Sequence, residues 1–209
     1  MKNLGLLSWL SKGKLTDEQV ANIFVNTSFE TVELGWPQVA SLINLMPEFE
    51  KAPELDSEDY GKFLMIVVSA NLSHIPHHFD NGVDRAIIRR CIAKFSLALG
   101  IPKEKFASKV KEYRAFMKKI NHPSKNTTRA MTMAIIYKYG LIECQDQYFR
   151  DMNVPNPIIQ QALKEVMSNF LWDMEDISDK YKINITEAEE SPKAQIAKPL
   201  TAKSETATA

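Results

Sequence analysis

Between residues 103 and 121 a large apolar side chain recurs at spacings of four, three, four and three: Phe106, Val110, Tyr113, Met117 and Ile120. An α-helix gathers such a set on one narrow face, because each residue turns by about 100°. That face has to be buried against other secondary structure, so the stripe constrains everything packed around it.

The same period runs through most of the chain. Val20, Ile23 and Phe24 follow Thr16-Asp17-Glu18, a capping residue with acids in the first turn. Trp36-Pro37 opens a second segment carrying Val39, Leu42, Ile43 and Met46, which Pro47 closes. Ser57-Glu58-Asp59 caps a longer run with Phe63, Leu64, Val67, Val68 and Leu72 that stops before Pro76. Its Met65-Ile66-Val67-Val68 centre also suits a short buried strand, but the acidic cap and the length favour a helix. Asp80-Asn81-Gly82 turns into a helix buried through Val83, Ile87, Cys91 and Phe95, and Gly100-Ile101-Pro102 ends it and starts the next. Ser124 or Asn126 caps a helix through Met131, Ile135 and Ile136 that Gly140 ends. Pro155 and Pro157 start the last long helix, apolar from Ile158 to Ile177.

The expected fold class is therefore all-α: a compact single-domain bundle of seven or eight helices over residues 1–183, with a disordered tail over 184–209. Residues 187–209 hold no aromatic residue and only Ile196 and Leu200 as large aliphatic ones. With 7 glycines in 209 residues, glycine-rich phosphate loops and turn-dense all-β folds are disfavoured. No apolar run is long enough for a transmembrane segment. Leu4-Gly5-Leu6-Leu7-Ser8-Trp9-Leu10 is short for a signal sequence and turns basic at Lys12 and Lys14, so a retained short helix is expected, docked on the bundle or on a membrane. Two cysteines, Cys91 and Cys144, form no disulfide framework, and the chain is placed in the cytoplasm.

The formal charge is zero, but it is a cancellation. Residues 1–84 carry 5 basic and 12 acidic side chains, residues 85–138 carry 14 and 2, and residues 139–209 carry 7 and 12. The middle block either forms solvated outer faces that pair with the acidic first and last thirds of the same chain, or offers an anionic partner a surface with Arg85, Arg89, Arg90, Lys111, Arg114 and Lys118 as its binding residues. On the wheel Lys111, Arg114 and Lys118 occupy one flank of the 106–120 stripe and Lys105 and Lys109 the other, so charge surrounds the helix. Without aromatic interleaving, nucleic acid or an anionic membrane ranks below an acidic protein partner or self-association.

The one dense polar constellation is His74, His77, His78 and Asp80, whose imidazoles and carboxylate are of metal-ligand type. Its spacing matches no zinc motif, and phosphate-loop, nucleophile-elbow and dinucleotide fingerprints do not occur. No cofactor is required by the sequence, and no catalytic residues are assigned. The leading functional expectation is a helical protein that works through protein–protein contacts or self-association. Alternatives are a metal-binding protein or metal-dependent enzyme built on the histidine cluster, and a binder of nucleic acid or anionic membrane through residues 85–129.

Overall fold

The computed structural model describes residues 13–186. The expected N-terminal helix and residues 187–209 of the tail lie outside the described residues. The order is β1 (Gly13–Thr16), α1 (Asp17–Asn44), α2 (Gly61–His74), α3 (Val83–Ala98), α4 (Lys103–Asn121), α5 (Thr127–Lys138), α6 (Gln147–Asp151), α7 (Pro157–Met167), α8 (Met174–Lys180) and β2 (Tyr181–Asn184). Helix α1 packs mainly on α3, α4 lies against α2, α3 and α5, and α7 covers α5. No helix among the described residues is long and apolar enough to cross a membrane.

The α4 stripe behaves as its period requires. Phe106, Val110, Tyr113 and Met117 are buried and Ile120 is half-buried. The Thr16 capping box also forms: its hydroxyl accepts from the Gln19 N–H, while the Gln19 side chain accepts from the Thr16 N–H. Gly100 and Gly140 both take the positive φ that suits glycine just past a helix.

Three expectations are corrected. Trp36-Pro37 does not open a new helix, because α1 runs through Pro37 unbroken. Pro37 has no N–H to donate back along the helix, but the surrounding packing holds the segment. Trp36 is fully buried, with its ring centroid 4.8 Å from Tyr139 and 5.0 Å from Phe63, and its indole N–H donates to the Asp56 carbonyl at 2.9 Å. Gly35 admits Phe170 beside it, since a Cβ there would lie 2.6 Å from that ring. Second, the last helix is not continuous. The α-helix ends at Met167, a 3₁₀ turn follows over Ser168–Phe170, and buried Asn71 bridges the interruption before α8. Its Nδ2 donates to the Phe170 carbonyl at 2.9 Å and its Oδ1 accepts from the Trp172 N–H at 2.8 Å. Third, α2 starts at Gly61 without a side-chain cap from Ser57-Glu58-Asp59.

A two-stranded parallel sheet, absent from the all-helical expectation, pairs Gly13 with Tyr181 and Thr16 with Asn184. It brings Thr186 onto the start of α1, so Asn184–Thr186 belong to the described structure and not to the tail. Asp17 is fully buried there. Its Oδ1 accepts from the Thr186 N–H (2.9 Å) and hydroxyl (2.7 Å), and its Oδ2 pairs with Arg90. Arg90 also holds Glu18 at 2.7 Å, and Glu18 pairs with Lys94. One ion cluster thus joins α1, α3 and the end of β2.

Burial works to raise the Asp17 pKa, but hydrogen bonds from Arg90 and Thr186 and the guanidinium charge outweigh it and hold the carboxyl below its ordinary value of 3.8. A depressed folded-state value stabilises the fold fully above the ordinary value and loses that contribution as pH falls through the lower one. Urea unfolding is therefore expected to show stability declining as pH drops below about 4. Asp17→Asn is expected to cost about 3 kcal/mol at neutral pH and to flatten that decline.

Candidate functional site

Turning one residue onward from each buried position of α4 gives a second stripe: Ala107, Lys111, Arg114 and Lys118. It forms the rim of a groove of about 630 Å³. The floor is apolar and small: Val110 and Met117 of α4, Ala70 of α2, Ile92 of α3 and Ala130 of α5. The loop after α4 closes one end with Lys125. That loop is held by Asn121, whose buried Nδ2 donates to the carbonyls of Ser124 (3.1 Å) and Asn126 (3.0 Å) and whose Oδ1 accepts from Arg129 (2.9 Å).

The electrostatics of the two α4 flanks differ. On one side Glu112 pairs with Lys109 at 2.9 Å and with Lys138 at 3.7 Å, and Lys138 lies over the Tyr113 and Phe116 rings. On the groove side no carboxylate lines the wall, and Lys111, Arg114, Lys118 and Lys125 have no ion-pair partner among the described residues. The ring of charge expected around α4 therefore divides into a flank where Glu112 engages Lys109 and Lys138 and a groove flank with no carboxylate.

The six cations expected to bind an anion fall into three groups. Lys111, Arg114 and Lys118 are brought together on the groove rim. Arg85 and Arg89 are exposed on the α3 face that carries Ile92, two turns and one turn before it. Arg90 is engaged by Asp17, Glu18 and Thr186 and belongs to the fold. The small residues of the floor were missed, because Ala70, Ala107 and Ala130 carry no chemical signal until the helices meet.

A second cleft, of about 720 Å³, lies between the end of α1 and α7, beside Leu42, Leu45 and Met46. Glu48 is its one charged side chain, and no cation lines it.

The four-residue histidine cluster is only partly assembled. His74 ends α2, and a 3₁₀ turn over Ile75–His77 brings His78 back over it, with Nε2 atoms 3.0 Å apart. His77 and Asp80 are exposed. No three His, Cys, Asp or Glu side chains are placed to hold a metal ion among the described residues. Burial, then the charges of His78 and His77, lowers the His74 pKa below the ordinary imidazole value. Cys91 is buried on the core face of α3, and burial pushes its thiol far above the ordinary range. Cys144 is raised as well, first by burial and further by Glu143 and Glu54. Neither thiol is activated as a nucleophile.

No family model, curated protein or solved structure matches the chain.

Side chains without partners contribute little to stability. Lys111→Gln, Arg114→Gln and Lys118→Gln are each expected to unfold within about 0.5 kcal/mol of the parent. Arg90→Gln, which strips the buried Asp17 of its counter-charge, is expected to cost about 3 kcal/mol. Urea titration of the four variants checks the contrast.

Proposed function

We propose that the protein is a binding module whose α4 groove receives an acidic amphipathic helix of a partner protein. The observation that carries this is the row of uncompensated cations, Lys111, Arg114 and Lys118, beside an apolar floor free of carboxylates. Those three positions span seven residues of helix, about 10 Å along the axis. One carboxylate headgroup cannot meet cations spread over that length. A helix with Glu at i, i+4 and i+7 meets all three and lays its apolar stripe on the alanine-rich floor.

Other anions fit the same surface less well. Single-stranded nucleic acid binds through base stacking on aromatic rings, and no Phe, Tyr or Trp lines the groove. A lipid surface is served by an exposed apolar face, whereas this floor is recessed between four helices. The reading places the protein in the cytoplasm. In support, both cysteines are unpaired and Cys91 is packed as a core residue.

Fluorescence anisotropy with a labelled Glu/Leu amphipathic helix tests the proposal. Binding is expected, and it should weaken as salt rises from about 0.1 to 1 M and the Debye length falls from about 10 to 3 Å. The variant K111E/R114E/K118E, checked for an unchanged melting temperature, is expected to lose affinity about a hundredfold, since like-charge juxtaposition costs several kcal/mol. Equal binding of a scrambled peptide of the same composition, or tighter binding of an oligonucleotide or of anionic vesicles, contradicts it.

A further inference from the structure

We propose that His74 and His78 form a two-imidazole chelate for a divalent transition-metal ion of the Ni²⁺ or Cu²⁺ type, with water completing its coordination. The site is separate from the α4 groove and does not depend on the reading given for it.

The geometry comes from the way α2 ends. His74 is its last residue, and the N–H groups of His78 and Phe79 both donate to the Ile75 carbonyl, at 3.1 and 3.3 Å. This tight turn carries the His78 ring over the His74 ring, with the Nε2 atoms 3.0 Å apart. Imidazole nitrogen binds such ions at about 2.0–2.1 Å, and two cis ligands at a right angle are then about 3.0 Å apart. A tetrahedral ion would hold them about 3.3 Å apart, so the spacing matches tetragonal coordination better.

The ring positions agree. The centroids are 4.5 Å apart with the planes inclined at 62°. That separation exceeds the 3.0 Å between the nitrogens by 1.5 Å. Two rings meeting head-on would add a full ring radius at each end and stand further apart. Two rings that both aim at one ion about 2.05 Å from each nitrogen at a right angle would have centroids about 4.5 Å apart, which the observed separation matches.

The chemistry of the two rings also suits the role. Neither Nε2 engages any other group among the described residues. In the free protein one Nε2–H donates to the other Nε2. With an ion on both nitrogens, each neutral ring carries its single proton on Nδ1, so the exchange within the donor ring is a tautomeric shift with no net proton release. The His74 Nδ1 is buried without a hydrogen-bond partner, so no carboxylate or carbonyl strengthens it as a ligand. A site with two imidazoles and no such support favours the ions at the strong end of the divalent series, Cu²⁺ and Ni²⁺. His77 is exposed, with its ring centroid 5.9 Å from that of His74, and is not needed as a ligand.

Titrating the full-length, tag-free protein with Ni²⁺ by calorimetry tests this. One ion per chain is expected. His74→Ala and His78→Ala should each weaken binding by at least about tenfold, and His77→Ala by less than about threefold. In parallel, Ni²⁺ should raise the melting temperature of the parent but not of His78→Ala, because an ion bound only to the folded state stabilises it. That second readout distinguishes lost ligation from lost folding. The assignment is overturned if the parent binds no stoichiometric Ni²⁺, or if the double His74/His78 variant binds as tightly as the parent. A loss in His77→Ala equal to that in His74→Ala also overturns the two-ligand assignment.

Discussion

Burial of the α4 apolar stripe is the constraint on which the rest of the arrangement depends. Once Phe106, Val110, Tyr113 and Met117 face inward, helical geometry places Lys111, Arg114 and Lys118 one step round the helix, at the edge of the buried face. The stripe and the rim are two readings of one periodicity. Shifting the helix by 100° would bury three cations, which folding would not tolerate without partners. The basic rim is therefore tied to the core, and any partner that recognises it sees a rigid row of charge.

A second division of labour sits among the cations. Arg90 and Lys94 are spent on Asp17 and Glu18, joining α1 to α3. Lys109 and Lys138 share the single carboxylate of Glu112. Among the cations without an ion pair in the described residues, Lys111, Arg114 and Lys118 line the groove side of α4, and Arg85 and Arg89 lie on the exposed face of α3. The chain's neutrality and this local surplus are compatible because the acidic residues of the first third are committed to particular cations or lie on other faces.

The helical class, the capping box at Thr16 and the glycine stops were legible from local pattern, since each is set by residues within one or two turns. The continuity of α1 through Pro37 was not, because it depends on Tyr139 and Phe63 stacking on Trp36 from distant segments. The break after α7 was hidden for the same reason: Asn71, about one hundred residues earlier, supplies the hydrogen bonds that stabilise it. The rim cations were readable from the helix wheel. The floor was not, because alanines at positions 70, 107 and 130 acquire meaning only when four helices converge. Of the histidine cluster, the i, i+4 pair His74 and His78 assembled, while His77 and Asp80 were carried outward by the 3₁₀ turn.

The most direct test of the central claim, that the α4 groove is a docking site for an acidic helix, is residue-resolved mapping of the bound peptide. Backbone amide shifts recorded with and without the Glu/Leu helix are expected to change along residues 107–125 and at Ala70, Ser73, Ile92 and Ala130, which border the groove. Shifts confined to the cleft beside Leu42 and Leu45, or spread evenly over all exposed lysines and arginines, would contradict the account.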